Sequence, residues 1–301
     1  MMPFTDKSCA TLVLEGPPLF PIAIGGVTQR KIPTADLGSN SQDAYGIYIG
    51  KNLLIGVVCD GCGSGAQTTQ EQNRCSSNEV GARLLVHATV NACLRLLKVS
   101  KGSLPQKQHL DNAFLTSLTN ALLKSLATTV KAFCGNDQDA RESFIFDTLM
   151  STVLGVIVTE SRFLVFGCGD GYVGVNDEVL SLKDQEGQYL ANHLLPSLCP
   201  GRFKDKPFTA HLHSLATSTT EDFRAVLLAT DGFAPVHLSD AAFFQNILND
   251  PAHSPQVHAG HDRLLREFRK RLLTGPAKEV EFNDDATLVA VRRTENPDQH
   301  D

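Results

Sequence analysis

The sequence predicts an α+β fold with antiparallel sheets, and three observations carry that prediction. Apolar strand runs come in hairpins, at 45–59 and again at 152–168. Two long helical stripes stand back to back between those hairpins. A further apolar run follows at 286–291. Strands grouped with strands, and helices with helices, indicate α+β packing rather than an alternating parallel fold.

The elements follow in order. Up to about Gly26 the chain is rich in Pro and Gly and offers only short apolar pieces. Residues 45–49 and 53–59 flank a turn at Gly50-Lys51-Asn52, and the second strand is apolar enough for burial on both faces. A polar Ser/Thr/Gln/Asn segment covers 64–77. Val80, Leu84, Ala88 and Cys93 then fall near one stripe of a helix reaching about Leu97. Leu115, Leu118, Leu122 and Leu126 mark a second helix over 110–133. Together the two predict an αα-hairpin packed on a sheet. The β pattern returns at 152–158, 163–168 and 172–175. The stretch 180–224 is irregular and reads as a flap-like insertion. A buried strand at 225–230, helices at 241–248 and 261–273, and a last strand at 286–291 complete the prediction.

Composition sets the class. The chain has 301 residues, 42% hydrophobic and 20% charged, which predicts one globular domain over 1–301. No stretch approaches the roughly 20 apolar residues of a membrane span. The opening Met1-Met2-Pro3-Phe4-Thr5-Asp6 lacks the basic and apolar regions of a secretory signal. A net charge of -6 argues against a dedicated nucleic-acid binder. The expectation is a cytoplasmic monomer with neither a nucleic-acid nor a membrane partner. The 8 cysteines are sparse and sit largely in apolar runs, so they read as reduced, buried side chains. Cys59-Asp60-Gly61-Cys62 has C-x-x-C spacing, but no second ligand pair stands at zinc spacing.

Aspartates beside strands are the chemical feature. Asp43 precedes one strand, Asp60-Gly61, Asp170-Gly171 and Asp231-Gly232 follow three others, and Asp284-Asp285 precedes the last. A single Asp-Gly is an ordinary turn dipeptide. Asp60 and Asp231, however, lie against buried runs with no Lys or Arg adjacent in sequence, and desolvating an unpaired anion is costly. Several carboxylates converging on strand ends suit a hard divalent cation. Two other readings fit less well. The loop Asp60-Gly61-Cys62-Gly63-Ser64-Gly65 lacks the Gly-Lys-Ser/Thr of a P-loop and the immediate helix of a dinucleotide site. His211/His213 and His258/His261 have no recognisable third ligand.

Taken in order, Gln42-Asp43-Ala44, Asp60 to Gly65, Glu79-Val80-Gly81-Ala82-Arg83, Gly167-Cys168-Gly169-Asp170-Gly171, Ala229-Thr230-Asp231-Gly232 and Asp284-Asp285-Ala286-Thr287 resemble the PPM-type, or type-2C, metal-dependent serine/threonine phosphatases, especially compact bacterial members. The resemblance covers roughly 25–292 and implies a central antiparallel β-sandwich flanked by helix pairs. It implies two Mn²⁺ or Mg²⁺ ions, with Asp60 bridging them, the Gly61 carbonyl on one, and Asp231 and Asp284 as further direct ligands. Asp170 would serve, with Asp231, a third and weaker site. Asp43 would orient waters on the metals, and Asp285, where the family often has Asn, would lie just outside the ligands. Two such cations clamp a phosphate and activate a water, so no nucleophilic side chain is needed.

Three positions depart from the family pattern. Gln42 stands where many members have Glu, Gly38 where many have a phosphate-binding Arg, and Cys62 where some have a histidine acid. Arg30 and Lys31 are the nearest basic substitutes for that arginine. The implied activity is hydrolysis of phosphoserine and phosphothreonine in proteins, with a cognate kinase as counterpart in signalling. A non-catalytic phosphoprotein-binding module and a small-molecule phosphomonoesterase are the alternatives on the same fold.

Overall fold

The computed structural model describes residues 10–14, 22–29, 42–62, 78–99, 110–182, 188–205, 207–236 and 285–293. Two sheets face each other. One has six strands, taken here as β1 (Ala10–Leu14), β3 (Ala44–Ile49), β4 (Leu53–Cys59), β5 (Val153–Thr159), β6 (Arg162–Cys168) and β9 (His213–Thr219), in that spatial order. The other runs β2 (Ile22–Gln29), β11 (Ala286–Arg293), β10 (Ala225–Ala229), β7 (Tyr172–Val175), β8 (Glu178–Ser181). Side chains alternate along β4 and β5. Leu54, Val58, Leu154, Val156 and Val158 point between the sheets, where they meet Val226, Leu228, Val289 and Val291. Leu53, Ile55, Val57, Val153 and Ile157 point the other way, onto helices. The full burial of β4 and β5 follows from this, since both faces are covered.

The helical layer on the six-stranded sheet is a pair, α1 (Asn78–Leu96) and α2 (Asn112–Cys134). Asp111 caps α2 by accepting from Phe114 N at 3.0 Å, and Leu115, Leu118, Leu122, Leu126 and Val130 form its buried stripe. Gly81 lets α1 approach the chain closely, because a Cβ there would lie 1.7 Å from the Thr148 carbonyl oxygen.

The α+β class and the facing sheets agree with expectation, and most edges differ by one or two residues. Three differences matter. The N-terminal stretch, read as short apolar pieces, supplies β1 and β2, and β1 pairs with β3 in parallel rather than antiparallel. The segment after α2 contains a further helix, α3 (Gln138–Phe144), that widens into a π-turn at Ile145–Leu149. The stretch expected to be irregular carries an edge strand, β9, paired with β6 through a bulge at Val165/Phe166. Its His213–Thr219 sequence is polar and half-exposed, which hides it from an apolar pattern search. The helices expected at 241–248 and 261–273 lie outside the described residues.

Candidate active site

The aspartates come together where the two sheets meet at one end. Asp43 enters β3, Asp60 leaves β4, Asp231 leaves β10, and Asp285 enters β11. Backbone bonds fix these ends. Gly61 N donates to the Gln42 carbonyl at 3.2 Å, Thr152 N donates to the Asp60 carbonyl at 2.9 Å, and Cys62 N donates to the Met150 carbonyl at 2.9 Å. Asp60 N donates to Thr152 Oγ1 at 3.1 Å. The π-turn after α3 ends at Met150, so it delivers the carbonyl that holds the Asp60-Gly61-Cys62 loop.

The second sheet is tied on by side chains. Thr230 Oγ1 donates to Asp43 Oδ2 at 2.7 Å and accepts from Thr287 N at 2.9 Å. Gln42 N donates to Asp285 Oδ2 at 2.6 Å. Gly232 follows Asp231 for a steric reason, because a Cβ there would sit 1.8 Å from the Asp285 carbonyl oxygen. Asp231-Gly232 is therefore a close-packed junction between β10 and β11 as well as a turn.

The electrostatics are those of crowded acids. Burial pushes the Asp43 carboxyl up to about 8, reinforced by the Asp285 charge and opposed by hydrogen bonds from Asp60, Thr230 and Thr287. Burial also holds Asp60 well above the usual carboxylate range, with the charges of Asp43 and Asp231 adding to it. Asp60 thus lies between Asp43 and Asp231, in side-chain contact with both. Asp231 Oδ1 is buried without a hydrogen-bond partner among the described residues. A buried carboxylate oxygen with no donor, beside two further carboxylates, is the arrangement a divalent cation would satisfy. Among the described residues, no three His, Cys, Asp or Glu side chains are gathered tightly enough to hold an ion unaided.

Asp170 stands at the edge of this group. Its charge and that of Asp231 both act on Tyr172, after burial, to raise the phenol. Of the residues singled out from sequence, Asp43, Asp60, Gly61, Asp231, Asp170, Gln42 and Asp285 fall at or beside one site. Asp284, Arg30, Lys31 and His258/His261 lie outside the described residues. His211 and His213 stack edge to face, centroids 5.0 Å apart, at the start of β9. None of the 6 cysteines described is in a disulfide.

Sequence reasoning missed two contributors. Thr230 is the hub between the sheets, yet in the sequence it is only the residue before Asp231. Tyr189 comes from the stretch expected to be irregular. Burial and a hydrogen bond with Cys62 raise its phenol most, followed by the charges of Asp170 and Asp60. Thr230 falls inside the Ala229-Thr230-Asp231-Gly232 motif, but nothing local gives its role, and no local pattern marks Tyr189; both act across long sequence separations.

The comparisons with known proteins bear on family and fold. A family model described as "Protein phosphatase 2C" matches residues 35–273. No curated protein sequence matches the chain. Among solved structures, a mutant form of a bacterial serine phosphatase is 13% identical, with 91% of this chain and 99% of that chain covered and a TM-score of 0.53. A second structure of a bacterial serine phosphatase is 14% identical, covers 89% and 98%, and has a TM-score of 0.50. Serine/threonine phosphatase Stp1 from Staphylococcus aureus is 14% identical over 89% of this chain and 95% of that one, with a TM-score of 0.48. The two bacterial serine phosphatase structures speak for the fold, and the family match takes in the strand ends that carry Asp43, Asp60, Asp170 and Asp231. With acids crowded at the junction of two facing sheets and that match over most of its length, the chain belongs to the protein phosphatase 2C family, the metal-dependent protein serine/threonine phosphatases.

Proposed function

We propose that the carboxylates of Asp60, Asp231 and Asp284, with the Gly61 carbonyl, hold two Mn²⁺ or Mg²⁺ ions, and that Asp170 with Asp231 serves a weaker third position. One observation carries the reading: Asp60 is in side-chain contact with both Asp43 and Asp231, and one Asp231 oxygen is buried with no hydrogen-bond partner among the described residues. Oxygen-only ligands favour hard cations over zinc. When bound, such cations clamp the phosphoryl group and supply a water activated at neutral pH.

The remaining work falls to the chain. Asp60 and Asp231 are set on rigid strand ends from opposite sheets, so the distance between them is fixed by sheet packing rather than by loop conformation. Thr230 binds Asp43 Oδ2 and so fixes the rotation of that carboxyl. Asp43, in side-chain contact with Asp60, would orient water beside the ions. Asp285 holds the Gln42 backbone and keeps the start of β3 against β11. No side-chain nucleophile is required, and substrates are phosphoserine and phosphothreonine in proteins.

Hydrolysis of an aryl phosphate and of a phosphothreonine peptide, each with and without Mn²⁺, tests the proposal. Turnover should require Mn²⁺ or Mg²⁺ and disappear in EDTA. Full activity in chelator, or recovery with Zn²⁺ alone, would overturn it.

A further inference from the structure

Thr152 stands immediately before β5 and touches two of the acid-bearing segments at once. On one side it holds Asp60. Thr152 N donates to the Asp60 carbonyl at 2.9 Å, and Thr152 Oγ1 accepts from Asp60 N at 3.1 Å. Both polar groups of the Asp60 backbone are thereby bound to one buried residue. On the other side it seats Asp170. A Cβ on Gly169 would lie 2.7 Å from Thr152 Cγ2 and 2.9 Å from Thr152 Cβ, so the turn that carries Asp170 rests directly on the threonine side chain. Gly171 closes the same turn against β10, since a Cβ there would fall 2.8 Å from the Ala229 carbonyl oxygen, just before Thr230 and Asp231. The φ angles of Gly169 and Gly171, 94° and 127°, require glycine at both places.

Resting on the phosphatase reading, we infer that Thr152 is a positioning residue that holds Asp60 and Asp170 in one frame, its hydroxyl fixing the first and its methyl seating the second. The two halves of the side chain do different work. The Asp60 N–H needs an acceptor, because an amide left without one in a buried setting loses its solvation for nothing. Removing Oγ1 therefore shifts or loosens the end of β4 and the carboxylate it carries. The methyl has no polar task. It fills the space beneath Gly169 in a packed interior, so its removal lets the Asp170 turn move while Asp60 keeps its bond. Serine retains only the hydroxyl and valine only the hydrocarbon, so threonine is the residue that serves both acids. With Asp60 assigned to the pair of ions and Asp170 to the weaker position, one side chain sets the spacing between the two.

The test compares Thr152→Val, Thr152→Ser and Thr152→Ala with wild type in the full chain. Amide NMR spectra of the metal-free proteins read the two contacts directly. Thr152→Val should shift the Asp60 amide resonance, whose proton loses its acceptor, and leave Gly169 and Asp170 close to wild type. Thr152→Ser should do the reverse. Calorimetric titration with Mn²⁺ reads the consequence. Thr152→Val should weaken the tight phase by about tenfold, the scale of one buried hydrogen bond. Thr152→Ser should keep the tight phase and weaken only the later one, and Thr152→Ala should weaken both. A residue that merely supports the fold would lower the melting temperature of all three variants and leave Mn²⁺ binding by the folded proteins unchanged. That result would overturn the inference, and so would valine and serine variants with the same effect on both phases. A wild type that binds no Mn²⁺ would instead defeat the phosphatase reading, and the metal-free spectra would still decide whether Thr152 holds both acids.

Discussion

Thr230 and Asp43 are 187 residues apart in sequence, yet the threonine hydroxyl lies 2.7 Å from the aspartate Oδ2. The same hydroxyl accepts from Thr287 N, so one oxygen joins β3 to β10 and β11. The candidate site thus depends on a contact between the sheets, and its acids are correctly placed only when the sheets are docked.

Thr230→Val should therefore destabilise the protein by about 1–3 kcal/mol, because Asp43 Oδ2 and Thr287 N lose their shared partner in a buried setting. Thr230→Ser should recover most of that loss. Urea unfolding of the three proteins measures the difference, and equal midpoints for wild type and Thr230→Val would contradict the hub role.

Asp60→Asn and Asp231→Asn should each lower turnover by about two orders of magnitude, the scale of a direct electrostatic contribution to the transition state. In EDTA both should melt at or above the wild-type temperature, since each removes one of several crowded acids. Asp170→Asn should lose less activity. A calorimetric Mn²⁺ affinity for Asp60→Asn equal to wild type would contradict its proposed role as a metal ligand.

Stability of the metal-free chain should fall as pH rises. The Asp43 carboxyl moves from an ordinary 3.8 to about 8 in the fold, and Asp60 also moves upward. Between those values the folded state binds more protons than the unfolded chain. The stabilisation is fully present below about 3.8 and is lost as pH rises through about 8. Thermal melts in EDTA across that window should show the decline, and added Mn²⁺ should flatten it by compensating the ionised carboxylates.

No phosphoenzyme should form. Cys62 is the tempting nucleophile, but activated water makes it unnecessary. Acid-quenched turnover analysed by mass spectrometry should show no phosphocysteine. Cys62→Ser should slow the reaction rather than abolish it. A trapped phosphocysteine would replace water attack with thiol catalysis.

Much of this arrangement was legible in the sequence where burial is two-sided or helical spacing is long. Leu53–Cys59 reads as a strand without help, and the α2 leucines mark their own stripe. The acids were legible because each abuts a strand. The edge strands were not, since β9 alternates polar and half-buried residues and β1 is a short parallel partner of β3. Nor could sequence reveal Thr230 or Tyr189, whose roles exist only after distant segments meet.

The Gln42–Asp285 bond spans 243 residues, and β2, near the start of the chain, completes its pairing only with β11. A ribosome that has synthesised the first sheet almost entirely has therefore made no working site. Activity can appear only after β11 has left the exit tunnel and docked, so a growing chain cannot act on phosphoproteins while that strand is still unmade.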